Sequence, residues 1–488
     1  MQKIINIILS RDLSNWNERN QEAFDELFGA NGGRYPESAR KSVKLRAPEF
    51  RGDSGVPFAA YIHPSNPDSG AYGGLSFVIF PVENEPCLVG LVVGTKGLSP
   101  DEAVLSRPGH ARKVQSICQW LNHQYGKGKL IAWAKHDPIR TDLNVPDSVK
   151  REFSLYESVF KRYGHEIYGL FVPNADQEAT RSAVTAFLDL MFEERGHMPL
   201  KGAQAESETI RSQYLSHMMP TVSEEDVIDL LNARRFVILQ GPPGTGKTRM
   251  ARILLNEHFH GNGFSVQFHA NTTYENFIGG LAPMRTEGGF GFQFAPKKGH
   301  LMVAIERALQ NPDKPYLLHI DEINRADLSK VLGEAIFLFE ANAVEEQRDL
   351  MLPYDFGEPF YDRLWLPSNL YILGTMNSAD RSIAILDIAV QRRFAFVNVW
   401  PQLSVIHEHS NETMQQLFME LQSIFVEYAN DEAMSLMPGH SYFLNPHGTD
   451  DLSLLRATLL PLLEEYLVQG YVTGFSEQIR AYMQKLRV

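Results

Sequence analysis

RFVILQ (235–240) runs directly into Gly241-Pro242-Pro243-Gly244-Thr245-Gly246-Lys247-Thr248, which leads into RMARILLNEHF (249–259). An apolar strand, a glycine-rich loop ending in Gly-Lys-Thr and an amphipathic helix follow one another without a gap, the setting in which G-x-x-x-x-G-K-[ST] carries chemistry. Glycines let successive backbone N–H groups turn inward around an anion. The following helix aims its positive end at the same point. Lys247 is expected to reach the β- and γ-phosphates of a nucleoside triphosphate, and the Thr248 hydroxyl to ligate Mg²⁺. Agreement over the eight loop positions and both flanks leaves little room for a glycine turn of no consequence.

A second element completes this reading. PYLLHI (315–320) reads as a buried strand ending in Asp321-Glu322. Acids at the C-terminal end of such a strand stand where an open α/β sheet gathers its ligand chemistry. Asp321 is expected to hold Mg²⁺ through water and Glu322 to polarise the attacking water. The competing explanation is an N-cap pair on a helix ADLSKVLGEAIFLFE. His319 interrupts the strand and reads as a core histidine rather than a catalyst.

From Thr221 onward helix and strand patterns alternate, beginning with SEEDVIDLLNAR (223–234) capped by Ser223, which predicts a parallel sheet covered on both faces. Before it the pattern is mixed α+β. LSFVIFPV (75–82) and CLVGLVVG (87–94) predict paired strands, and KLIAWAKHD (129–137) a third. Residues 110–126, 148–164 and 180–195 predict helices. A stretch rich in Pro, Gly and Ser from Asp53 to Gly74 reads as loop. The expected domains are an α+β recognition domain (1–198), a linker with some helix (199–220), an α/β nucleotide-binding domain (221–402) and a helical lid (403–488).

The 488 residues exceed one core, and the formal charge of −13 is uneven. Residues 1–200 hold about 23 basic and about 24 acidic side chains, so the acidic excess lies beyond them. No net positive field draws the chain to nucleic acid. Cys87 and Cys118 cannot make a disulfide framework or a zinc site and read as core thiols. The N-terminal apolar run is too short for a secretory signal, and no run approaches bilayer length, so a cytoplasmic protein with no membrane segment is expected.

The run Asp321-Glu322-Ile323-Asn324-Arg325-Ala326 resembles the second nucleotide motif of McrB-like and MoxR-like AAA+ proteins. LGTMNSADRSIAILDIAVQRRFAF (373–396), with its Met-Asn-x-x-Asp-Arg stretch, resembles the McrB signature. FHANTTYENFIGGLAP (268–283) and MPGHSYF (437–443) point the same way. The resemblance covers about residues 221–488. It implies an AAA+ P-loop domain with a helical lid, a hexameric ring, GTP or ATP as substrate, and an McrC-like partner nuclease cutting modified or foreign DNA. Position by position, Asn377 matches the sensor of the attacking water, and Asp380 and Arg381 the rest of that signature. Arg392 and Arg393 match arginines that reach a neighbouring subunit's γ-phosphate. RTEGGFGFQF (285–294) and MLPYDFGEPFYDRLWLPSNL (351–370) read as hairpin insertions of this clade, which in related rings face the central pore.

Residues 1–200 show neither the family founder's modified-base reader nor a PD-(D/E)xK-like nuclease cluster. The expected function is therefore a nucleotide-driven motor in restriction or antiphage defence whose nuclease is a separate chain and whose DNA contact comes through the complex. The rival is a MoxR-like ATPase remodelling a protein partner. A third reading is a regulatory ring whose nucleotide state gates partner binding.

Overall fold

A computed structural model of the chain describes residues 1–29, 32–47, 56–67, 73–95, 100–285, 292–340, 348–379, 388–445 and 450–487. They form two compact units, Met1–Met219 with Val426–Asn430, and Pro220–Phe425 with Asp431–Val488.

In the first unit β1 (Lys44–Arg46), β2 (Ala59–Ile62), β3 (Gly73–Val82), β4 (Glu85–Thr95), β5 (Ala132–Ala134) and β6 (Ile167–Phe171) make an antiparallel sheet in the order β1-β2-β3-β4-β6-β5. The near-continuous apolar runs in β3 and β4 follow from burial on both faces. Phe77 and Ile79 enter one core cluster while Val78 and Phe80 enter another, as the period of two demands. Helices Gln2–Leu9, Pro108–Tyr125 and Gln177–Glu194 supply the first cluster; Asp147–Glu152 and Glu157–Tyr163 supply the second. Cys87 and Cys118 are buried free thiols.

Three sequence expectations change here. The stretch 53–74, read as loop, contains the buried strand β2 (Ala59–Ile62). Strand character within 129–137 is confined to Ala132–Ala134. The segment read as a linker with some helix is helical over 18 residues, Lys201–Met218, and its Ile210 and Tyr214 are buried in the first core. Its polar composition hid the narrow apolar stripe that docks it.

The second unit contains β7 (Phe236–Gly241), β8 (Gly263–Gln267), β9 (Gly279–Arg285), β10 (Phe292–Lys298), β11 (Tyr316–Asp321), β12 (Asp349–Met351), β13 (Arg363–Trp365), β14 (Leu370–Asn377) and β15 (Ala395–Asn398). Five of these form a parallel sheet in the order β15-β7-β14-β11-β8. Alternation again assigns the faces: Phe236, Ile238, Leu318, Ile320 and Ile372 pack on one side, Val237, Leu239, Leu317 and Leu373 on the other. Both insertions are antiparallel pairs, β9 with β10 and β12 with β13, although residues 286–291 of the first lie outside the described residues. Ser223 and Asp226 form the capping box that starts helix Glu224–Arg234. Among the described residues no helix is long and apolar enough to cross a membrane.

The first unit is pinned by a buried ion pair. Arg34, 4% exposed, donates Nε and Nη2 to Asp189 at 2.7 and 2.5 Å, and Tyr35 donates its hydroxyl to the same carboxylate at 2.6 Å. Removing one partner strands the other without water. Asp189→Ala should cost about 3 kcal/mol, the low end of the range, because Glu206 still accepts from Arg34. Amide exchange along Gln177–Glu194 in the full chain measures this; a loss under about 1 kcal/mol would show the pair to be dispensable.

Candidate functional site

The site assembles where the parallel strands end. Gly244 and Gly246 adopt φ of +79° and +82°, a left-handed backbone that side-chain-bearing residues rarely take. Between them Thr245 donates its hydroxyl to the Pro242 carbonyl at 3.1 Å, which closes the loop. Helix Lys247–Ile253 follows and continues as a π turn over Leu254–His258. Lys247 is 8% exposed, and its Nζ donates to the carbonyls of Gly241 (2.9 Å) and Pro242 (2.7 Å). Burial pushes this ammonium down to about 8, with Asp321 opposing the shift. Its two carbonyl contacts are what a phosphate oxygen would replace.

β11 brings the two acids to the same edge. Asp321 Oδ1 accepts from the Thr248 hydroxyl at 3.1 Å and from the Thr375 hydroxyl. The N-cap alternative for the acids does not hold, because Asp327 caps the next helix by accepting from Lys330 N. That helix is short, Leu328–Leu332, and becomes a 3₁₀ segment from Gly333 to Leu338 instead of running through. Glu322 takes φ +52°, and its Oε2 is held by Arg325 Nε at 2.7 Å and Gln267 Nε2 at 3.3 Å. Neither Arg325 nor Gln267 stood out in the sequence: Arg325 lay inside a stretch read as a signature, and Gln267 is brought in by the pairing of Asp321 with Gln267 across β11 and β8. His319 is a buried core histidine, with Nδ1 2.9 Å from Ser265 Oγ.

Asn377 ends β14 beside Gly241, and Ser378 N donates to the Gly241 carbonyl at 3.0 Å. The Asn377 side chain accepts from Ala379 N at 3.2 Å, while its carbonyl accepts from Asn324 Nδ2 at 3.3 Å. Asp380 and Arg381 lie outside the described residues. Helix Ile388–Gln391 buries Val390 and leaves Ile388 72% exposed. Arg392 is exposed and Arg393 half-buried just before β15, whose Ala395 pairs with Val237. They stand at the entry end of the sheet. The phosphate loop leaves from the exit end, about 13 Å further along β7 at 3.3 Å per residue.

The lid closes directly on the loop. Gly439 N donates to the Pro243 carbonyl at 2.9 Å and Ser441 N to the Gly244 carbonyl at 3.0 Å. The two backbones approach so closely that a Cβ on Gly439 would overlap the Gly244 carbonyl. His440 is 7% exposed, and its Nδ1 accepts from Gln402 N at 3.2 Å, which leaves the ring proton on Nε2. Burial, with Arg249 and Lys247 nearby, pushes the ring down to about 4, so it is neutral. His440 lines a cavity of about 350 Å³ with Thr221, Val222, Glu224, Arg249 and Gln402, beside Thr245 and Gly246. That volume suits a base and ribose. Among the described residues no group of three or more His, Cys, Asp or Glu forms a metal site; the loop hydroxyl and the strand-end acid are instead donors of the kind that hold Mg²⁺ together with substrate phosphates.

A phosphate-cradling loop, an acid pair and a strand-end asparagine on adjacent parallel strands, closed by a helical lid, define an AAA+ nucleoside-triphosphate hydrolase. Residues 236–394 match the family model of the AAA domain (dynein-related subfamily). The chain is 31% identical over 353 residues to the EcoKMcrB subunit of the Type IV methyl-directed restriction enzyme of Escherichia coli (strain K12), covering 66% of this chain and 75% of that protein. It is 29% identical over 194 residues to the type II restriction enzyme BsuMI component YdiS of Bacillus subtilis (strain 168), covering 33% of this chain and 55% of that protein. A shorter match, 27% identical over 141 residues, is to the cytoplasmic dynein heavy chain of Saccharomyces cerevisiae (strain ATCC 204508 / S288c), covering 29% of this chain and 3% of that one. The chain belongs to the McrB-like family of AAA+ proteins.

The low Lys247 value makes nucleotide binding pH-dependent in a defined direction. Phosphate favours the charged lysine, so above about pH 8 binding must take up a proton, whereas below about pH 7 the lysine is already charged. Affinity for a metal-free triphosphate analogue should be flat near pH 7 and weaken by up to about tenfold per unit above pH 8.5. Direct titration of the dissociation constant checks this, and a flat profile to pH 9.5 refutes it.

Proposed function

We propose that this chain is the motor subunit of a restriction or antiphage system, hydrolysing GTP with Mg²⁺ in a homo-hexameric ring to drive a separate McrC-like nuclease on foreign or modified DNA. The observation that carries the reading is the convergence of Lys247, Thr248, Asp321, Glu322 and Asn377 on one sheet edge, in a chain related to the EcoKMcrB subunit. In this reading the backbone from Gly241 to Gly246 and Lys247 bind the phosphates. Thr248 and Asp321 would hold Mg²⁺, which would supply positive charge against that developing on the phosphates. Glu322 polarises the attacking water, and Asn377 orients it. Asp380 and Arg381 keep their expected place in the signature. Since the Glu322 carboxylate is engaged by Arg325 and Gln267, turnover requires that grip to loosen or to turn the carboxylate toward the water.

Arg392 and Arg393 supply the transition-state cation to the next subunit. Their position before Ala395, which pairs with Val237 about 13 Å along β7 from Gly241, supports action in trans. An arginine given in trans is worth about 10³–10⁵ in rate in GTPases. Glu322→Gln should bind nucleotide and turn over about 10²–10⁴-fold more slowly. Arg392→Ala and Arg393→Ala should lose turnover and keep binding. Mixing either arginine variant with Glu322→Gln should restore part of the activity, since some interfaces then carry both groups. Full activity of both arginine variants, together with a specific activity independent of protein concentration, would sink the trans assignment.

GTP is favoured over ATP on the resemblance through 376–382 and 439–443, and the cavity beside the loop supports it. The Glu224 carboxylate can accept from guanine N1–H and the 2-amino group, and His440 Nε2–H can donate to O6 or N7. Competition binding should show GTP displacing a labelled analogue at lower concentration than ATP; a tenfold ATP preference overturns it. DNA cleavage coupled to GTP turnover, seen only with the partner nuclease, would support the defence role. Remodelling of a protein substrate without any nuclease would favour the MoxR-like alternative.

A further inference from the structure

Thr375 lies two residues before Asn377 on β14 and has no part in the roles given above. It is 2% exposed, yet its hydroxyl makes two hydrogen bonds. It donates to Asp321 Oδ1, and it accepts from the backbone N–H of Glu322 at 3.3 Å. The sheet explains the meeting: Ile320 pairs with Gly374, so the next residues along, Asp321 and Thr375, are cross-strand neighbours whose side chains leave the same face.

A hydroxyl has one proton, so the direction of these bonds is fixed. The proton goes to Asp321 Oδ1, which also accepts from Thr248, and among the described residues Oδ2 has no protein partner. The lone pair goes to an N–H that belongs to a residue in a left-handed conformation, φ +52°. A glutamate holds that conformation only where its surroundings compensate the strain.

We infer that Thr375 is the positioning residue of the acid pair. One hydroxyl turns Asp321 so that Oδ2 faces the metal and nucleotide, and the same hydroxyl fixes the backbone that aims Glu322. It touches neither substrate nor metal and acts through both acids at once. Without it, Asp321 keeps only the Thr248 hydroxyl, the group also needed by Mg²⁺. The part-buried Glu322 N–H loses its acceptor, and its peptide is free to leave the left-handed region. This rests on the assignment of Asp321 and Glu322 made under the proposed function.

The test is a pair of variants of the full chain, Thr375→Val and Thr375→Ser. Valine keeps shape and volume and loses the hydroxyl; serine keeps the hydroxyl and loses a methyl group. The positioning role predicts that Thr375→Val lowers kcat by about tenfold or more and raises the Mg²⁺ concentration for half-maximal activity by a similar factor. Metal-free binding of a triphosphate analogue should stay within about twofold, which shows that the variant is folded. Thr375→Ser should stay within a few fold of the parent in all three. A packing role predicts the reverse order, with valine tolerated and serine damaging. Parent-like kcat and Mg²⁺ dependence in Thr375→Val overturns the inference. Asp321→Asn separates the two failures: if it abolishes the Mg²⁺ response while Thr375→Val does not, the acid pair stands and only the role of Thr375 falls. An Asp321→Asn variant with an unchanged Mg²⁺ response means the reading of the acid pair is itself wrong.

Discussion

Parallel pairing of β7, β14 and β11 in nearly flush register is the constraint on which the site depends. Asn377 lies beside Gly241, and Ile320 beside Gly374, so three strands end together. A phosphate loop, a strand-end asparagine and two acids, separated by long stretches of chain, thereby share one edge. A slip of one residue in any strand would send its side chains to the opposite face, into a core that cannot take them. Burial of both faces, Ile238, Ile320 and Ile372 on one and Leu239, Leu317 and Leu373 on the other, forbids that slip. Precision at the edge is thus enforced by apolar packing behind it.

Much of this was legible from local pattern, because the features are local. A strand, a glycine loop and a helix in sequence, or an apolar run ending in Asp-Glu, carry their meaning within a dozen residues. The lid stretch MPGHSYF was recognisable as a signature, but its contact with Pro243 and Gly244 was not, since nothing in either segment announces the other. Gln267, Arg325 and His440 were opaque for the same reason: each acts through a neighbour fixed only by register or lid closure. The helix Lys201–Met218 was read as part of a linker because few of its residues are apolar, and tertiary burial of Ile210 and Tyr214 is what anchors it.

The grip on Glu322 and the position of Arg392 describe complementary restraints. Within the chain, a carboxylate suited to polarising water is occupied by a guanidinium and an amide. The cations suited to stabilising transferred phosphate stand at the other end of the sheet. Under the proposed function, a single chain so arranged would hold a nucleotide without the full set of groups for splitting it, a division that would favour storing the bound triphosphate until a neighbour arrives.

The meeting of Gly439 with the Pro243–Gly244 backbone uses main-chain atoms alone. A displacement of the loop by an incoming anion would pass to the lid with no rotamer to reorganise and no charged pair to screen. Transmission of this kind should be indifferent to ionic strength, unlike a lid held by salt bridges. It is also closed to adjustment by side-chain substitution: losing either glycine breaks the joint, and no other change at those positions can strengthen it.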